Sequence, residues 1–115
     1  MARLTNFENA FIDINKLTEY SLNEHHPFGK EKAVVFRSVL GIGINEADLL
    51  KSEILKGLAK NECIEREQDE FGKRFSIIMK IRIFDKEAFL TTGWIIRSGE
   101  NFPRLTSCYI KKRSK

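Results

Sequence analysis

Cysteine is scarce in this chain. Cys63 and Cys108 are the two present, far apart and in neither CxxC nor Cys/His spacing. That excludes a disulfide scaffold and a structural zinc site, and it fits a reducing cytosol. Long hydrophobic runs are missing as well: no stretch approaches the roughly 18 consecutive apolar residues of a membrane span. The opening MARLTNFENAFIDIN carries acidic residues early and lacks the apolar segment of a signal peptide. There is no internal repeat, low-complexity tract or linker. Nor is there a glycine-rich phosphate loop, a Cys-His pair or a serine elbow, which removes the commonest nucleotide-binding and acyl-transfer motifs.

What is present is a globular composition. Of 115 residues, 42% are hydrophobic and 31% charged, and nine are Phe, so an aromatic-rich core is expected. The length allows one real core and is too short for two. Net charge is +4. Residues 1–60 hold eight basic and eight acidic side chains, whereas residues 61–115 hold twelve basic and eight acidic. From Arg104 onward there are five basic residues and no acidic one. A basic half suits a polyanion such as RNA, and it equally suits a solvated surface.

Hydrophobic periodicity divides the chain. Asp13 caps a short helix INKLTEYSL, with Ile14, Leu17 and Tyr20 or Ser21 on one side. Pro27 and Gly29 then force a bend. In KEKAVVFRSVLG, Ala33, Phe36 and Leu40 form a stripe that Gly41 stops. Asn45 can cap a third helix, NEADLLKSEILKGLAK, whose stripe is Ala47, Leu50, Ile54 and Leu58. From residue 62 the period falls to two. CIEREQ reads as a polar edge strand, and Phe71-Gly72-Lys73 as a turn. In FSIIMKIRIF, Ile77, Met79, Ile81 and Ile83 alternate with Ile78, Lys80, Arg82 and Phe84. Asp85-Lys86 turns into AFLTTGWIIR, residues 98–101 make another turn, and RLTSCYIKK is the last strand. The expected fold is α+β, a single domain with two to three N-terminal helices over about 13–60. A four-stranded antiparallel meander follows over about 62–112.

Four groups of residues are candidates for chemistry. His25-His26-Pro27-Phe28-Gly29-Lys30-Glu31-Lys32 puts imidazoles and lysines just before a helix. Histidine moves protons near neutrality and lysine offsets phosphate charge; exposed helix-entry residues are the plainer reading. No acidic partner stands at metal-ligand spacing, so no metal site is expected. Thr92 and Trp94 share a strand face, where the single Trp could stack on a base or simply fill the core. In PRLTSCY, strand alternation puts Arg104, Thr106 and Cys108 on one face and Leu105, Ser107 and Tyr109 on the other. Arg104 with neighbouring hydroxyls suits a phosphate, or a salt bridge. Lys80 and Arg82 line either a nucleic-acid groove or the wet face of the sheet.

Three stretches then carry a resemblance: KLTEYSLNEHHPFGKEKAVVFRSVLGI, FGKRFSIIMKIRI and TTGWIIRSGENFPRLTSCYI. They resemble a bacterial family of small stand-alone proteins and toxin C-terminal domains, many labelled only as a domain of unknown function. Its pattern runs KL..Y.LN..HP.GK.KA..F...LGI early and T.W.I..G...PRL.S.Y late. The likeness spans roughly residues 12 to 111. The organisation looks like the barnase–EndoU–colicin–RelE group of toxin nucleases, with helices first and then a sheet whose open face is the active site. That resemblance implies metal-independent RNA cleavage through 2′-OH attack, with no cofactor. It implies His26 as general acid or base, and Lys30 or Lys32 with Arg104 against transition-state charge. Thr106 and Tyr109, with Thr92 and Ser107, would orient the phosphate or supply a proton, and Trp94 would stack or wall the site. Lys80 and Arg82, read from the strand pattern rather than from the resemblance, are the candidates for holding substrate. Thr91 stands where the pattern leads one to expect Arg or Ser. Arg104 and Tyr109 differ by an odd number, so a bulge near Ser107 is needed to bring them together.

The expected function is thus a cytoplasmic toxin endoribonuclease. Its partners would be RNA and a small, acidic antitoxin or immunity protein, with no membrane involved. The competing reading is a non-catalytic module, or an accessory or antitoxin protein, that binds RNA or protein through the basic sheet face.

Overall fold

The computed structural model describes residues 2–27 and 29–110. The helices come first: α1 (Ile14–Lys16), α2 (Lys30–Leu40) and α3 (Ala47–Leu58). Four strands follow, β1 (Ile64–Asp69), β2 (Gly72–Ile83), β3 (Lys86–Arg97) and β4 (Arg104–Ile110). They pair in the order β1-β2-β3-β4, every neighbour antiparallel. This is the α+β meander expected from the change of period. Lys111 and Lys112, placed in the last strand by sequence, lie outside the described residues.

The apolar stripes explain the layers. Ala33, Phe36 and Leu40 of α2, and Ala47, Leu50, Ile54 and Leu58 of α3, are all buried. They meet the inner face of the sheet, where Phe75, Ile77, Met79, Ile81 and Ile83 of β2 alternate with outward residues. α3 lies against β2, and α2 against β3 and β4. The opposite face of the sheet has no helix over it among the described residues, and Ile78, Lys80, Arg82 and Phe89 are exposed there. Gly41 ends α2 at φ 70, a left-handed turn that costs glycine little. No helix among the described residues is long and apolar enough to cross a membrane.

Three local features depart from the sequence reading. Asp13 does cap α1, accepting the Asn15 N–H at 3.0 Å, but the helix loosens into a π turn over Leu17–Ser21. Asn45 is no cap: it sits inside a 3₁₀ turn (Ile44–Glu46), and the Glu46 carboxylate accepts the Gly43 N–H at 2.6 Å. The hairpin between β2 and β3 turns on Phe84-Asp85, because Ile83 pairs directly with Lys86.

Two bulges shape the open face. In β4 the pairing runs Gly93 with Ser107 and then Trp94 with Leu105, which leaves Thr106 as the extra residue. The strict alternation expected for PRLTSCY is therefore broken. Leu105, Cys108 and Ile110 are buried, while Tyr109 pairs with Thr91 and Arg104 with Ile95, two positions on the open side. In β1 the register shifts between Glu65 and Gln68, so Arg66 and Glu67 are the irregular pair.

Candidate functional site

The π turn and α2 bring their polar residues to the outer edge of β4. There a pocket of about 250 Å³ is lined by Lys16, Tyr20, Lys32, Thr106 and Ser107 among others. Lys16 and Tyr20 are four residues apart on one helical face. Lys32, in the first turn of α2, reaches between two aromatic rings. Its Nζ lies 4.9 Å from the Tyr109 ring centroid and 5.8 Å from that of Tyr20. Cations over ring faces are held electrostatically without being neutralised. Neither Lys16 nor Lys32 has a carboxylate partner among the described residues.

His26 joins this group through Tyr20, the ring centroids being 4.6 Å apart and tilted by 60°. Its Nδ1 accepts the Gly29 N–H at 3.0 Å, so in the neutral ring the proton sits on Nε2. The bend that the sequence marked thus delivers His26 and Lys32 to one place. Lys30 goes elsewhere: it is exposed and lines a different hollow with His25 and Val34, so only one of the two lysines belongs to the cluster.

Gly93 makes room for the hydroxyls. A side chain there would come within 2.9 Å of both Thr106 Oγ1 and Ser107 Oγ. The two hydroxyls therefore share the space over Gly93 on the open face, and they line the edge pocket as well as a second cleft of about 350 Å³.

Other expected site residues are placed differently. Trp94 is 1% exposed and lies in the core, where its Nε1–H donates to Thr92 Oγ1 at 2.8 Å. Thr92 is fully buried and donates in turn to the Ile77 carbonyl at 2.9 Å. Their side chains form an internal polar link of the core, while both residues lie along the wall of the open-face cleft. Arg104 shares the open side with Tyr109, as a bulge requires, and its Nε–Nη2 edge is taken by an ion pair. Nε and Nη2 donate to the two Glu100 carboxylate oxygens at 2.9 Å each, and the guanidinium lies 4.9 Å from the Phe102 centroid and 5.2 Å from that of Phe11. The hydrogen bond from Arg104 holds the Glu100 carboxyl below its usual range. Phe11 also bridges Arg104 along the strand edge. Arg104 is a clamp between the last turn and the N-terminal segment. Lys80 and Arg82 are exposed on the open face and share Glu87, at 3.3 and 3.9 Å.

Sequence reasoning missed Lys16 and Tyr20, although their spacing before the bend was a usable signal. It also missed Arg66, Glu67, Arg74 and Gly93, which line or floor the cleft; only the sheet register reveals them.

The model of the family described as Domain of unknown function (DUF6883) matches residues 3–112, and the chain belongs to that family. No curated protein and no solved structure matches the chain.

Proposed function

We propose that this family member is a metal-independent endoribonuclease whose scissile phosphate sits at the edge of β4. The observation that carries the reading is Lys32, a cation without a carboxylate partner among the described residues, seated between Tyr20 and Tyr109 beside two hydroxyls. In the reaction, the ribose 2′-oxygen attacks phosphorus and gives up its proton to solvent water. The P–O5′ bond breaks, and the departing 5′-oxygen takes a proton, leaving a 2′,3′-cyclic phosphate and a 5′-hydroxyl. Lys32, with Lys16 near it, offsets the charge that builds on the phosphorane oxygens. Thr106 and Ser107 donate to those oxygens and fix the phosphate. His26 supplies the proton to the leaving oxygen as the imidazolium, and the neutral ring that results, its Nδ1 accepting the Gly29 N–H, takes a proton back from solvent before the next turnover. Tyr109 and Tyr20 hold the lysine in place.

The setting that fits is a bacterial cytosol, with toxicity held in check by an acidic antitoxin or immunity partner covering the same lysines. Free Cys63 and Cys108 agree with a reducing compartment.

The test is purified protein with transfer, messenger and ribosomal RNA in the presence of EDTA. Cleavage should leave cyclic phosphate ends, and His26→Ala and Lys32→Ala should each slow it about 100-fold. Lys30→Ala, which alters the lysine outside the cluster, should cleave like wild type. Intact RNA from folded wild-type protein, together with normal growth on induced expression, would end the nuclease reading in favour of a binding module.

A further inference from the structure

The two bulges face each other across the sheet. Strand alternation would send the consecutive Arg66 and Glu67 to opposite faces, yet both line the open-face cleft because β1 slips register there. From the other side the β4 bulge supplies Thr106 and Ser107. Gly93 between them keeps the floor clear. Bulges of this kind re-aim side chains, and two at one place build a lined cleft on what would otherwise be a flat surface.

The polar groups in the cleft are incompletely matched. Thr91 Oγ1 is buried and has no hydrogen-bond partner, a costly state for a hydroxyl unless a ligand or water meets it. Arg66 donates Nε to Ser76 Oγ at 3.0 Å and has no carboxylate partner among the described residues. Its terminal nitrogens remain as donors. Glu67 beside it is an acceptor.

We propose that this cleft is the nucleobase subsite next to the scissile phosphate and that it selects guanine. Guanine presents the O6 and N7 acceptors that an arginine fork fits. Its N1–H and amino group are donors that suit a carboxylate, and the other three bases do not offer this pair of edges. Thr106 and Ser107 belong to both the cleft and the edge pocket, so a base in one places its phosphate toward Lys32 in the other. The inference rests on the RNA-cleaving reading for its biological substrate, but the binding itself is measured without cleavage.

The experiment is a titration of isotope-labelled protein with GMP, AMP, CMP and UMP, followed by amide NMR shifts. GMP should move the amides of Arg66, Thr91, Gly93 and Thr106 and bind about tenfold more tightly than the others. Glu67→Gln and Arg66→Ala, both surface changes, should remove that preference. Thr91→Val should weaken GMP by a factor of about three to ten. Shifts confined to the Lys32 edge, equal binding of the four nucleotides, or variants that bind GMP like wild type would each overturn the subsite. GMP bound in the cleft by a protein that leaves RNA intact would keep the subsite and remove the nuclease reading. Cleavage of RNA without GMP in the cleft would do the reverse.

Discussion

Thr92 is the residue on which the interior depends most directly. Its hydroxyl takes the Trp94 indole N–H and donates to the Ile77 carbonyl, all out of contact with water. Thr92→Val keeps the shape and leaves the indole N–H unpaired, so stability should fall by about 2 kcal/mol. Urea denaturation followed by Trp94 fluorescence reads this directly. Cys108 gives a second expectation. Burial raises its thiol pKa to about 11 from 9.0, with Ser21 Oγ 3.6 Å away as the opposing influence. Because the folded state disfavours the thiolate, this contribution to stability is complete below pH 9 and is lost as pH rises through about 11. Cys108→Ala should flatten that alkaline fall, whatever it does to overall stability. The sequence showed that Thr92 and Trp94 share a face, because a period of two shows that much. Which face is inner depends on where α2 and α3 pack, and that lies beyond the strand's own pattern.

Elements were legible where one rule governed them. The α2 and α3 stripes and the alternation of β2 follow from burial alone, and they came out as read. What could not be read were places where one residue more or less changes the face: the π turn before Leu22, the bulge at Thr106 and the slip at Arg66-Glu67. A bulge near Ser107 was demanded by the odd spacing of Arg104 and Tyr109, and the structure places the extra residue at Thr106. The β2–β3 hairpin holds a cost of its own. Phe84 sits at φ 59 while 65% exposed, in a left-handed conformation that glycine and asparagine adopt more cheaply. Phe84→Gly should therefore stabilise the protein by about 1 kcal/mol, seen as a higher urea midpoint at unchanged slope. A loss of stability instead would mean that the exposed ring packs on its neighbours by more than the strain it carries.

At the scale of the molecule the question is where the positive charge resides. The half-by-half count pointed to a basic second half, yet residues 61–110 hold eight basic and eight acidic side chains. The whole excess of +4 comes from Lys111, Lys112, Arg113 and Lys115. In the RNA-cleaving reading, attraction over the rest of the chain would come from cations that no carboxylate answers locally, among them Lys16 and Lys32 at the edge of β4 and Arg66 on the sheet. Lys80 and Arg82 share Glu87, so in that reading they should contribute less. Salt dependence separates these contributions, since each phosphate neutralised on a single strand adds about 0.7 to the slope of log affinity against log salt. With a 2′-O-methyl oligonucleotide that cannot be cut, Lys16→Ala and Lys32→Ala should each lower the slope by about 0.7. Lys80→Ala and Arg82→Ala should change it by less than half as much. Removing residues 111–115 should lower the slope and weaken binding of any sequence, while leaving the guanine preference intact. If Lys80→Ala and Arg82→Ala instead matched the edge lysines, the strand would run down the open face toward the β2–β3 hairpin. The phosphate track would then have to be redrawn along β2.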